Sequence, residues 1–189
     1  MGKVYDEIDG RIGEFIARQH LFFVGTAPTS LEGRLNISPK GLDTFRVLGP
    51  RSVAYLDLTG SGVETIAHLR ENGRITILFC AFEGRPMILR LQGQGRVVEP
   101  DDAEGEHLFG QFPVTPGARA VIVVEVERIA ESCGFAVPLY DYRGDRTQLL
   151  DFARKKGPEG MKAYRREKNA RSIDGLTAME EPGSPTHGR

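Results

Sequence analysis

Cysteine is scarce in this chain: Cys80 and Cys133 are the only two, far apart, outside any CxxC pair and away from any histidine cluster. That spacing argues against a disulfide framework and a zinc site, so both thiols read as small apolar side chains. Charge of one sign is also missing. With 25 Lys and Arg against 26 Asp and Glu, the formal net charge is -1, which gives no basic field to concentrate nucleic acid. Long apolar runs are absent as well. The N-terminal segment mixes Asp, Glu, Arg and Lys without an apolar leader core, and no later run reaches the length of a membrane span. A soluble cytoplasmic protein, with neither nucleic acid nor membrane as partner, is the expectation.

The chain has 189 residues, 40% of them hydrophobic, enough for one substantial core. Val4, Ile8, Ile12, Phe15 and Ile16 recur at helical spacing and predict an amphipathic first helix. The period then changes. "LFFVGTA" (21–27), "RLNIS" (34–38), "TFRVL" (44–48) and "SVAYLDL" (52–58) are short runs separated by turn residues and read as strands. A helix "VETIAHLREN" stops at Asn72-Gly73, and "RITILFCAF", "PMILRLQGQGRVV" and "RAVIVVEVERIAES" follow as further strands, with a short acidic helix from Asp101 to about Gly110 before the last. Gly93 and Gly95 would let the long middle strand bend or bulge. Six to seven antiparallel strands with one mid-chain helix predict a mainly β fold, a closed or split β-barrel over residues 1–135.

Residues 136–177 differ in character: rich in charge, helical in patches, broken at Gly157-Pro158, and too poor in apolar positions for a core of their own. They predict a helical C-terminal extension packed on the barrel or on a partner subunit. Its basic run, Arg165, Arg166, Lys168 and Arg171, reads as a solvated helix face or as a contact for phosphate. Residues 178–189 are expected to be a disordered tail.

The stretch carrying most chemistry is "LDLTGSGVETIAHL", residues 56–69, where a strand ends in a glycine-framed hydroxyl turn and a helix begins. Backbone N–H groups of such a turn, with the positive end of the helix, form a concave anion site. Ordinary capping explains it equally: Ser61 as N-cap and Glu64 three positions on make a capping box. The preceding "NISPK" adds weight, because Asn36 and Ser38 share one face of their strand, with Lys40 at its end. A polar strand face needs partners, supplied by a ligand or by solvent.

Together, "NISPKG", "YLDLTGSGVETIAHLRENGRITILF" and "RPMILRLQGQGRV" resemble the FMN-binding split barrels related to pyridoxamine 5'-phosphate oxidase, over roughly the first hundred residues. The resemblance implies a homodimer enclosing FMN at its interface, with the phosphate held by Ser38, Lys40, Thr59, Ser61 and Thr65. Asn36, Leu58 and Gly60 join that cofactor set, and Arg85 or Arg90, beside the hairpin, would meet the flavin carbonyls or a substrate anion, unless they serve surface ion pairing. The deazaflavin coenzyme F420 is the other cofactor that such relatives use. Two departures stand out. Gly62-Val63 replaces the family's Arg-Lys phosphate clamp, and the C-terminal substrate signature is not recognisable in "EKNARSIDGL" in a chain without tryptophan. The implied function is a flavin-dependent oxidoreductase acting on a small-molecule substrate other than pyridoxamine phosphate.

No catalytic side chain is singled out, since a flavin carries the redox chemistry itself. His20, His68, His107 and His187 are scattered and read as structural or exposed. Two further readings remain open: a flavin-, F420- or haem-binding module without turnover, and a barrel whose cofactor site has decayed. The apolar strand "RAVIVVEVERI" points to dimerisation.

Overall fold

The computed structural model describes residues 2–179. Eight antiparallel strands form one sheet: β1 (Lys3–Tyr5), β2 (Phe22–Thr26), β3 (Asn36–Lys40), β4 (Phe45–Gly49), β5 (Ser52–Leu58), β6 (Arg74–Cys80), β7 (Ile88–Val98) and β8 (Ala118–Ser132). The order is β3-β2-β6-β7-β8-β5-β4, with β1 paired to β8. This is the split-barrel architecture that the alternation of short apolar runs and turn residues predicts. β1 is an addition. Val4, expected on the first helix, lies opposite Ala130 and is 58% exposed. Helix α1 (Gly10–Ala17) begins only after Asp9, whose carboxylate accepts the Ile12 N–H at 2.8 Å, and it buries Ile12, Phe15 and Ile16.

β8 is the strand around which the fold is organised. Its Ala120, Ile122 and Val124 face the barrel core with Tyr55, Ile77, Phe79 and Leu89, while Val121 and Val123 face a second cluster beneath helix α3 (Gly105–Phe109). Both faces are therefore buried inside one subunit, which accounts for the unbroken apolar run without a partner chain. Exposed apolar side chains lie elsewhere, among them Leu35 (78%) and Ile37 (73%) beside and on the edge strand β3, Leu31, Val114 and Phe135. Gly93 sits at a bulge where an added Cβ would come within 1.9 Å of the Glu125 carbonyl oxygen, so only glycine fits.

Helix α2 (Glu64–Asn72) plugs the barrel with Ile66, Ala67 and Leu69 and ends at Gly73, left-handed at φ 71°. Helix α4 (Gln148–Lys168) is interrupted at Gly157, φ 69°. It packs on its own barrel, where Ala153 and Met161 are buried close to Gly117. Ala178 joins the main core, with its N–H donating to the Ala170 carbonyl. Of the tail expected from residue 178, Ala178 and Met179 are thus ordered, and 180–189 lie outside the described residues.

Candidate functional site

Between Asp57 and Leu58 the pairing of β5 with β8 slips: Asp57 faces Ala120 but Leu58 faces Ala118, leaving Arg119 as the extra residue of a bulge. A bulge re-aims one side chain, and this one turns a guanidinium into the protein, where Arg119 is 4% exposed. Its Nε donates to Asp57 Oδ2 at 2.7 Å, one Nη to Asn169 Oδ1 at 2.8 Å, and the other to the Gly62 carbonyl at 3.0 Å. Lys40 Nζ donates to the other Asp57 oxygen at 2.7 Å. One fully buried carboxylate thus fixes two cations. Burial alone would raise the Asp57 pKa, but the Lys40 ammonium and the Arg119 guanidinium outweigh it and hold the carboxyl below its ordinary value.

The turn over this cluster is not a helix cap. α2 starts at Glu64 with Val63 as N-cap and no side chain bonded to it as a cap; Glu64 Oε2 instead accepts the Val63 N–H at 3.0 Å. The capping box expected from Ser61 and Glu64 does not form, because two residues separate Ser61 from the first helical position. Ser61 stays exposed on a cavity of about 490 Å³ whose wall also contains Leu42, Gly62, Arg119 and Arg146. Leu42 is held at φ 63°, an uncommon conformation for a bulky residue.

Six of the residues singled out in the sequence, Ser38, Lys40, Leu58, Gly60, Ser61 and Thr65, line this cavity together. Asn36 and Thr59 stand just behind it. Asn36 Nδ2 donates to Thr26 Oγ1 (3.2 Å) and Thr65 Oγ1 (3.0 Å), and Ser38 Oγ donates to Asn36 Oδ1 (3.0 Å). Thr59, 1% exposed, donates its N–H to the Gly117 carbonyl and accepts from Arg165 at 3.4 Å. Burial lowers the Arg165 pKa, with the neighbouring Arg119 charge adding to the effect. The polar face of β3 is therefore turned inward and Ile37 outward, the reverse of a solvent-facing strand.

Arg85 does not join them. It lines a second cavity, of about 1020 Å³, with Phe15, Arg18, His20, Tyr142 and Arg143. Arg90 bonds Ser132 Oγ at 2.7 Å across the β7–β8 ladder. Among the histidines, His68 is fully buried, its Nδ1 paired with Thr26 Oγ1 at 2.9 Å and its Nε2 without a partner, and burial lowers its pKa. His20 stacks on Tyr142, centroids 3.6 Å apart; His107 is exposed, and His187 lies outside the described residues. Burial, reinforced by the Asp57 charge, pushes the Tyr55 phenol well above its ordinary pKa. Among the described residues, no three His, Cys, Asp or Glu side chains converge as a metal site, and no helix is long and apolar enough to cross a membrane.

Asp57, Arg119 and Asn169 are the functional candidates that sequence reasoning missed. The signal for the first two was a lone acid in "YLDL" and a lone base heading "RAVIVV", opposite charges in otherwise apolar stretches. Buried charges demand partners, so the two are each other's natural complement.

A family model described as pyridoxamine 5'-phosphate oxidase matches residues 8–133. An Aspergillus flavus protein described as pyridoxamine 5'-phosphate oxidase family protein ustO is 41% identical over 201 residues, covering 95% of this chain and 80% of the relative. Among solved structures, a variant of HupZ from Group A Streptococcus aligns with 25% identity and a TM-score of 0.51, over 66% of this chain and 99% of that one. A Lactobacillus delbrueckii protein provisionally named as a pyridoxamine 5'-phosphate oxidase shares the fold, with a TM-score of 0.51 at 19% identity, over 67% of this chain and 98% of that one.

Proposed function

Because this chain belongs to the pyridoxamine 5'-phosphate oxidase family, we propose that the cavity under the 59–63 turn binds the phosphate end of FMN and that the protein is a flavin-dependent oxidoreductase. The observation that carries the reading is the buried Lys40–Asp57–Arg119 cluster, which brings two cations and one carboxylate to a cavity rimmed by hydroxyls and by a turn not engaged in capping. An anion is the complement of that arrangement. Ser61 and Thr65 would donate hydroxyl hydrogen bonds to the phosphate, Ser38 would do so only by turning its proton away from Asn36 Oδ1, Lys40 and Arg119 would supply charge, and Gly60 leaves open space, since a Cβ there would meet nothing within 4 Å. Bound there, a flavin supplies hydride transfer. The chain's own part is to hold the phosphate, exclude water with the α4 side of the cavity, and keep Asp57 ionised so that both cations stay in place.

The proposal includes a homodimer, supported by the exposed apolar side chains of Leu35 and Ile37 on the β3 edge. Ile37→Glu is then expected to shift sedimentation at micromolar concentration from dimer to monomer, and a monomeric wild type defeats the idea. The cofactor assignment is tested by colour. A yellow preparation that releases FMN on denaturation, identified by mass, supports it. Release of F420 would move the protein to deazaflavin chemistry, and a colourless chain that cannot be reconstituted with either refutes the reading.

A further inference from the structure

The larger cavity holds a pattern that the flavin reading does not use. Arg18, Arg85 and Arg143 all line it, and none of these guanidinium groups makes a hydrogen bond or ion pair among the described residues, although Arg85 lies close enough to Glu131 for its charge to help hold that carboxyl low. Other arginines do: Arg34 with Asp174, Arg46 with Asp43, Arg154 with Asp151. Two carboxylates share the wall, Glu83 and Asp141, and Glu83 is already engaged by the Tyr142 N–H at 3.0 Å. Arg11, tied to Glu131, and Gln19 also line it, while Phe15, Phe23, Phe82 and Met87 make up its apolar and aromatic part.

Although residues 138–147 form no helix or strand, their aromatic side chains are anchored. Tyr142 stacks on His20 at 3.6 Å and 6°, and Tyr140 on Phe82 at 5.4 Å, while the Tyr140 N–H donates to the Phe82 carbonyl. The strap then continues past Gly144, φ 119°, to place Asp145 and Arg146 on the smaller cavity. The two cavity walls also come close at Gly41, which lines the smaller one and where a Cβ would lie 3.2 Å from the carbonyl oxygen of His20, which lines the larger.

We propose that this second cavity binds a small organic anion with an aromatic body, of the aryl carboxylate or sulfonate class. Its ring is held by the aromatic wall, and its charge by the guanidinium groups of Arg18, Arg85 and Arg143. An apolar pocket with a few convergent polar groups is the ordinary design of a small-molecule site, and a guanidinium fork matches a planar carboxylate. Unpaired guanidinium groups beside apolar walls leave a monoanion of amphiphilic shape as the complement. Taken with the flavin proposal, on which this clause rests, the contact at Gly41 and the shared strap make this anion the redox substrate, seated beside the cofactor.

The test compares a charged and an uncharged probe of one shape. Anilinonaphthalene sulfonate is expected to bind the wild-type protein with one site per chain, to brighten on binding, and to be displaced by naphthoate. Arg18→Met with Arg143→Met, both at exposed positions, should weaken the sulfonate about tenfold while leaving the neutral analogue N-phenylnaphthylamine within about twofold. Equal losses for both probes, or none for either, overturn the proposal, as does failure of the wild type to bind the sulfonate. FMN titration of the same variant separates the two readings. Neither residue lines the smaller cavity, so FMN affinity should be unchanged. A wild type that binds the sulfonate as expected but never binds FMN keeps the anion site and refutes the flavin proposal.

Discussion

Replacing Asp57 by asparagine should show whether the buried charge cluster is balanced as the geometry implies. The side chain is 0% exposed and takes Lys40 Nζ and Arg119 Nε on its two oxygens, each at 2.7 Å. An amide in its place would keep the shape but remove the charge and turn an N–H₂ toward one of the cations. Breaking a buried pair by deleting one partner costs about 3–5 kcal/mol. The low end applies here, because the Lys40 side chain is 20% exposed and can turn to water in the cavity. For a chain of this size, about 3 kcal/mol is a Tm lower by about 6–12 °C, readable by calorimetry. Phosphate should raise the Tm of Asp57→Asn more than that of wild type, since the variant's site carries one more uncompensated charge. The pH dependence follows from the depressed Asp57 pKa. Its contribution is present above the unfolded carboxylate value, about 3.9, and is lost as pH falls from there through the lower folded value, so the two stability curves converge only in strong acid. His68, also depressed, begins a loss common to both proteins as pH falls below about 6.5, the unfolded imidazole value. A cost under about 1 kcal/mol, or equal protection of both proteins by phosphate, would refute the reasoning.

Lys40→Met keeps the stem and deletes the ammonium, and should weaken FMN about tenfold while leaving riboflavin nearly unchanged; the effect stays at the low end because Asp57 already takes part of that charge. An equal loss for both ligands, measured by fluorescence titration, would place Lys40 away from the phosphate. Asn169→Ala removes the acceptor for Arg119 and the donor to the Gly60 carbonyl, at 2.8 and 3.0 Å. It should cost about 1–3 kcal/mol in urea unfolding and weaken FMN in parallel, whereas a cost without loss of FMN would limit Asn169 to a structural role. Gly93→Ala forces a Cβ onto the Glu125 carbonyl and should destabilise by more than about 2 kcal/mol; a wild-type Tm would show that the bulge can relax.

Local rules made most of the barrel legible. β2 and β5–β8 fall within a residue or two of the runs that predict them, because short β-branched and aromatic segments bounded by turn residues have few other solutions. Gly73 ends its helix as expected for the same reason, since only a left-handed residue closes that turn at φ 71°. Errors arose where two local signals overlapped. Val4 continues the helical period of Ile8, Ile12 and Ile16 yet sits on β1, and its backbone pairing with Ala130 prevails over side-chain periodicity. Ser61 and Glu64 satisfy the capping-box pattern in sequence, but the helix begins at Glu64 itself, which leaves the carboxylate to bond the Val63 N–H.

Arg119 and Asn169 were hidden by distance along the chain, for Arg119 meets Asp57 across 62 residues and Asn169 across 50. No periodicity reports contacts of that range, and the burial of Arg119 follows from the bulge at Leu58, which is a property of pairing and not of either strand alone. Their placement also resolves the apparent defect at Gly62-Val63. The turn lacks the basic pair that the sequence resemblance implied, yet Arg119 reaches it from β8, donating to the Gly62 carbonyl at 3.0 Å, and Arg165 reaches Thr59 from α4 at 3.4 Å. Positive charge is supplied from behind the turn by residues that also hold the C-terminal helix, through Asn169, against the barrel. Filling the proposed anion site and docking α4 would therefore draw on the same side chains, and a ligand held by the Arg119 charge would stabilise the helix that covers it.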